Sequence, residues 1–373
     1  MYRVLRGFLI CLVIAGGAMP SRPVAQTSVL PSSQGALAIE AMLTGLDTPW
    51  AVGFLPAGEY LVTERDGNLL LVREGKSNVV KGVPRVKAQG QGGLLDVLVP
   101  RDFASSGQIF LTFSKHQKGG AGTAVVVGHL DTARARLTQT RIIFEAAPSS
   151  GTGRHFGSRI AEAPDGTLFV TIGDRGQPPS AQDLSRQQGS IIRINRDGSI
   201  PDSNPFVNTA AARPEIWSYG HRNPQGMALS SDGSLWAVEH GARGGDEVNR
   251  IHKGANYGWP VIAYGRHYSG GKIGEGTHKT GLQQPDFYWD PSIAPSGMMI
   301  YSGRLWPQWR GHMFVGSLKF DYIARLAGSR LREREQLVSR ETERVRDIRE
   351  APDGSIWFIS VGNGAIYRIA PGP

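Results

Sequence analysis

Cysteine is almost absent from this 373-residue chain, which has only Cys11, inside an N-terminal apolar run. A single thiol makes no intramolecular disulfide and builds no cysteine-rich zinc centre. None of the nine histidines falls in an HExxH or Cys/His spacing, so zinc lacks sequence support. No GxGxxG follows a strand to open a helix, and neither a P-loop nor a G-x-S-x-G occurs. Nicotinamide, nucleotide and serine-hydrolase chemistries are therefore unsupported. Sustained heptad or 3.6-residue periodicity is missing as well, which argues against a helical architecture.

The apolar stretch from Phe8 to Ala18 is too short to cross a bilayer. Arg3 and Arg6 precede it and small residues follow to Ala25, so residues 1–25 read as a secretory signal, with a retained anchor as the alternative. Export without disulfides suits a bacterial periplasm, the expected location, and cleavage leaves no stable membrane anchor. Removing Arg3, Arg6 and Arg22 lowers the formal charge from +9 to +6. The remaining basic residues are scattered and match no nucleic-acid motif, so no nucleic-acid partner is expected.

Glycine is abundant, with 49 residues beside 23 prolines, the composition of many short strands joined by tight turns. A weak repeat runs through the chain. Pro56-Ala57-Gly58-Glu59-Tyr60-Leu61-Val62 resembles Pro164-Asp165-Gly166-Thr167-Leu168-Phe169-Val170, and again the segments 231–237 and 352–358. Looser copies begin at Ser106 and Arg310. Each is a glycine turn before an apolar strand, and the glycines at 58, 107, 166, 233, 311 and 354 recur at intervals of 43 to 78 residues. A four-stranded propeller blade needs roughly 40–50 residues. The expectation is an all-β, six-bladed β-propeller occupying residues 26–373 as one domain. The last strand, near 365–369, should pair with strands near the N-terminus and close the ring. The least strand-like stretches are 175–186 and 263–284.

Several segments carry chemistry. Gly220 to Asn249 places Arg222-Asn223 on a loop, passes through a hairpin and a strand, and ends in the acidic loop Gly241-Ala242-Arg243-Gly244-Gly245-Asp246-Glu247. An Arg fork suits an anionic or quinonoid oxygen. Bare carbonyls beside carboxylates suit a hard cation such as calcium. His155, between glycines in a 153–159 loop, has the pKa range of a general base, although a lone histidine is more often structural. Gln91 lies in a Gly-Gln-Gly-Gly turn. Arg344 and Arg346 alternate so as to face one side. Two such forks need an anion between them, unless they lie on a merely solvated basic strand. Arg222 has its own structural alternative, a bridge between blades.

Taken in order, these motifs resemble the soluble, pyrroloquinoline quinone (PQQ)-dependent aldose sugar dehydrogenases of the glucose/sorbosone dehydrogenase-like family, over roughly residues 38–371. The resemblance implies that His155 accepts the proton of the sugar C1 hydroxyl while hydride passes to C5 of the quinone. It implies that Arg222 and Asn223 contact the quinone oxygens, and that Gln91, Tyr268, Lys319, Arg344 and Arg346 complete the cofactor site. One calcium ion would bridge PQQ and the Gly241 and Ala242 carbonyls. A second, structural ion would use Glu247 and the Tyr257 carbonyl. Ala242 departs from the family pattern, which has proline there. The implied partner is an aldose; the electron acceptor is not legible, and a monomer is the default. Two other readings stay open: a calcium-dependent propeller lactonase or hydrolase, and a non-catalytic propeller that binds carbohydrate or protein.

Overall fold

Each of the six repeated glycine turns joins the first two strands of one sheet. In a computed structural model describing residues 28–372, the six glycines all have positive φ, from 61° to 89°. L-residues rarely adopt that conformation, which is why glycine recurs there. Four turns share one hydrogen-bond pattern. At Ala163–Thr167, for instance, Ala163 N–H donates to Thr167 O at 2.8 Å and Gly166 N–H to Ala163 O at 3.0 Å. In three of them an aspartate, Asp165, Asp232 or Asp353, accepts from the amide two residues on at 2.9–3.0 Å. This local bond explains the Asp-Gly signature.

The chain forms six antiparallel sheets arranged as a ring, with helix reduced to the single turn Phe103–Ser106 and three short 3₁₀ segments among the described residues. The innermost strands, Pro49–Phe54, Leu94–Leu98, Ile160–Glu162, Pro224–Leu229, Pro295–Ile300 and Val345–Glu350, contact one another around the axis. Five sheets have four strands. The sixth has five, because Ala365–Pro371 pairs with Gly35–Leu43, which pairs with Ser28–Ser32. The expected ring closure is therefore present. The segment read as a signal, 1–25, lies outside the described residues.

Strand alternation supplies the packing. Leu111 faces the core between the first and second blades, while its neighbour Phe110 faces the core between the second and third. Phe358 and Ile359 divide in the same way between the two neighbours of the last blade. Each blade is thus apolar on both faces, and burying both drives the ring to close. Of the stretches read as least strand-like, 175–186 holds a 3₁₀ turn at Pro178–Gln182, and 263–284 contains no named strand.

Candidate active site

A cavity of about 1170 Å³ opens at the N-terminal ends of the six innermost strands, opposite the glycine turns. Its walls come mainly from residues just before the first strands and, in four of the blades, just after the second, with Arg266, Tyr268 and Gly270 from the 263–284 stretch. Gln91, Asn223, Gly241, Ala242, Tyr268, Lys319, Arg344 and Arg346 all line it. His155 lies beside it, flanked by the wall residues Phe156 and Gly157. Arg222 borders a smaller neighbouring cavity of about 20 Å³, shared with Gly241, Ala242, Glu247 and Tyr257.

The loop bearing His155 is held from several sides. His155 has φ 55°, a left-handed conformation that costs energy outside glycine and asks for tertiary support. Its backbone N–H donates to Gln91 Oε1 at 2.7 Å, and the Gln91 amide donates to Gly153 O at 2.6 Å. Its Nδ1 lies 2.6 Å from Asp174 Oδ1. Asp174 is fully buried and also accepts from Gly176 N–H at 2.7 Å and Trp259 Nε1–H at 2.9 Å. An ionised carboxylate only accepts, so Nδ1 keeps its proton and donates it in the hydrogen bond to Asp174, which leaves Nε2 as the basic atom. Burial pulls the His155 pKa below its ordinary value, the Asp174 bond opposes this, and the charges of Arg222 and Arg154 add to the lowering. The imidazole therefore stays neutral, as a proton acceptor must be.

Arg175, next in sequence, clamps the same loop. Its guanidinium donates to the carbonyls of Arg154 and Thr152 and lies 3.3 Å from the Phe156 ring centroid. Sequence reasoning missed both Asp174 and Arg175, because Gly-Asp-Arg-Gly reads as an ordinary turn. The available signal was position: these residues follow a second strand, Leu168–Ile172, just beyond Gly173.

Arg222 makes no ion pair among the described residues, so the bridging alternative fails. Its backbone N–H donates to Glu239 Oε2 at 2.6 Å, Nη1 donates to His240 O at 3.3 Å, and the guanidinium lies 5.4 Å from the Trp259 ring centroid. Glu239 is itself fixed by His221 Nδ1 at 2.8 Å, and His221 Nε2 meets Ser218 Oγ at 3.0 Å. Asn223 Oδ1 accepts from Gly157 N–H and Gln225 Nε2–H, which leaves its Nδ2 donors for a ligand.

Arg344 and Arg346 both face the cavity, but not through regular alternation. Arg344 precedes the strand with φ 50°, and the pairing is irregular between Val345 and Asp347. Arg346 Nη1 donates to Gln225 Oε1 at 3.0 Å, and Arg344 Nη1 to Leu318 O at 3.0 Å. Among the described residues neither they nor Lys319 forms an ion pair. Burial, followed by the charges of Arg159 and Arg344, pushes Arg346 down to about 9. Cations crowded without counter-ions fit a polycarboxylate such as PQQ. The volume leaves room for a second small molecule.

The small cavity fits a cation. Burial and the neighbouring Glu239 carboxylate raise the Glu247 pKa. Among the described residues the only hydrogen bond to the Glu247 carboxylate comes from Asn249 Nδ2 at 3.0 Å, and Asn249 Oδ1 is buried without a donor. Glu239 and Glu247 both line this space, which is the size of one water, and two adjacent carboxylates beside such a space suit a hard ion. Tyr268, expected against the cofactor, is 73% exposed at the cavity rim.

Comparison with known proteins converges on one family. The Glucose / Sorbosone dehydrogenase family profile matches residues 46–368. The chain is 42% identical to an aldose sugar dehydrogenase of Escherichia coli, over 92% of this chain and 96% of that one. The crystal structure of the soluble aldose sugar dehydrogenase from Escherichia coli in its apo-form superposes with TM-score 0.87 at 41% identity, covering 90% of this chain and 100% of that one. The PQQ-bound aldose sugar dehydrogenase of Streptomyces coelicolor gives TM-score 0.74 at 25% identity over 94% and 100%. A six-bladed ring, a histidine–aspartate pair at a cation-lined cavity and these similarities agree: the chain belongs to the Glucose / Sorbosone dehydrogenase family.

Proposed function

We propose that this protein oxidises aldose sugars at C1 to the lactone, with PQQ as redox cofactor and calcium as its metal. The observation that carries the proposal is His155, oriented by Asp174 and with its pKa lowered by burial, beside a cavity where Lys319, Arg344 and Arg346 form no ion pair among the described residues. Lys319, Arg344 and Arg346 would hold the carboxylates of PQQ; Arg222, Asn223, Gln91 and Tyr268 would complete its site. When bound, PQQ supplies a two-electron, hydride-accepting quinone. His155 Nε2 takes the proton of the C1 hydroxyl, and Asp174 stabilises the imidazolium that forms. Arg222 holds positive charge near the base, so His155 returns its proton readily. Gly241 and Ala242 would offer carbonyls to one calcium ion, and Glu247 with the Tyr257 carbonyl to another.

A lactonase or hydrolase using side-chain metal ligands is less well supported. Among the described residues no group of three or more His, Cys, Asp or Glu side chains converges on one point. Export through residues 1–25, a periplasmic location and a monomeric state belong to the same proposal. The test is reconstitution: apoprotein with PQQ, calcium and an aldose should form lactone and reduce a dye, and omitting any one should stop both. Lactone formation without PQQ would overturn the cofactor assignment.

A further inference from the structure

Arg154 adjoins His155 in sequence, and beyond the effect of its charge on the imidazole its side chain has no role in the site as described. Its side chain rests over Gly176, where an added Cβ would meet Arg154 Nε at 2.7 Å and Cδ and Cζ at 3.4 Å. Gly176 therefore leaves a bare surface on which the guanidinium lies. The backbone beneath is fixed by Arg175, which donates to the Arg154 carbonyl. Arg154 itself is exposed, and among the described residues its guanidinium makes no hydrogen bond or ion pair. The acid on this side, Asp174, is committed to His155, Gly176 and Trp259.

The surplus of positive charge extends along the cavity. Arg65, Arg243 and Arg266 line it, again without ion pairs among the described residues. The acids in the wall are Asp290, Asp321 and Glu343, and Asp321 Oδ1 accepts the Arg344 amide at 2.9 Å. Those acids sit with the fourth to sixth blades, whereas Arg154 stands with the third, beside the base. Lys319, Arg344 and Arg346 suffice for the three carboxylates of the cofactor, which leaves Arg154 and its companions without an anion.

We infer that the site favours aldoses carrying an anionic group, a uronate carboxylate or a sugar phosphate, and that Arg154 reads that charge while His155 works at C1. The inference rests on the dehydrogenase reading above. The chemistry at C1 is unchanged, and the anionic group takes no part in the electron count. A guanidinium–anion hydrogen bond at a partly solvated site should favour the charged sugar by roughly 10- to 100-fold. Salt should compress that preference, because Arg154 is exposed.

The experiment compares kcat/KM for D-glucose, D-glucuronate and D-glucose 6-phosphate with the PQQ- and calcium-loaded enzyme at low salt. It is run at about pH 8, where His155 is neutral with or without the Arg154 charge. Wild type should prefer at least one charged sugar, and which one identifies the anion. Arg154→Gln should remove most of the preference through KM while glucose oxidation holds, and Arg154→Lys should restore part of it. Equal kcat/KM for all three sugars in wild type, or a preference that survives Arg154→Gln, would overturn the inference. Oxidation of none of the three would instead contradict the dehydrogenase reading.

Discussion

Asp174 Oδ1 and His155 Nδ1 lie 2.6 Å apart, although 19 residues separate them in sequence. Asp174 is fully buried, and Trp259 Nε1–H and Gly176 N–H fix its other lone pairs. Such a carboxylate sets the imidazole tautomer and stabilises the charge that appears on proton transfer. Asp174→Asn should therefore lower kcat by roughly 10²-fold or more, with little change in PQQ affinity. Steady-state kinetics on cofactor-saturated enzyme checks this, and an unchanged kcat would make the pair structural.

The pH profile follows from the same geometry. The base must be neutral, and burial with the charge of Arg222 holds the His155 pKa below its ordinary 6.5. As pH falls, protonation and loss of activity are thus delayed to below that value. The acid limb of kcat/KM should lie under pH 6.5 in wild type. It should move upward in Arg222→Met, where one of the charges opposing protonation is gone. A limb that stays put in the variant would separate Arg222 from the base.

Among the described residues the Arg346 guanidinium has only the neutral Gln225 Oε1 as a hydrogen-bond partner. Arg346→Met and Arg344→Met should each weaken PQQ binding by about 1.5–3 kcal/mol, the value of a charge-assisted bond. Turnover at saturating PQQ should change less. Titration of apoprotein followed by absorbance gives the dissociation constants, and unchanged affinity in both variants would return the pair to a structural role.

Calcium should raise the Tm of the apoprotein, because an ion that binds only the folded state stabilises it by mass action. Glu247→Gln removes one of two adjacent carboxylates and should diminish that shift. Thermal scans with calcium and with chelator measure it. An identical calcium-induced shift in the variant would move the ion elsewhere.

The fold was legible where local chemistry dictates it. Each turn needs positive φ at its glycine, and in three of the six an aspartate bond to the amide two residues on adds to it; both are set within five residues, so all six blades announced themselves. Apolar alternation on each strand then fixed which face meets which neighbour. The site was legible only in part. Resemblance brought forward the cavity residues Asn223 and Lys319 in family order, and Arg344 and Arg346 do share the cavity, though through an irregular strand entry and not the alternation their spacing suggested. Asp174 and Arg175 escaped because their partners, His155, Phe156 and Thr152, come from the preceding inter-blade loop. That proximity exists only once the first two strands of the third blade have paired. Glu239 escaped similarly: as the last residue of an apolar strand it gave no sign of anchoring the Arg222 amide.

Dye-coupled aldose oxidation by His155→Ala, saturated with PQQ and calcium, tests the central claim most directly. PQQ titration should show the cofactor still bound, while kcat falls roughly 10²–10⁴-fold through loss of the general base. Turnover near that of wild type in the saturated variant would contradict the account.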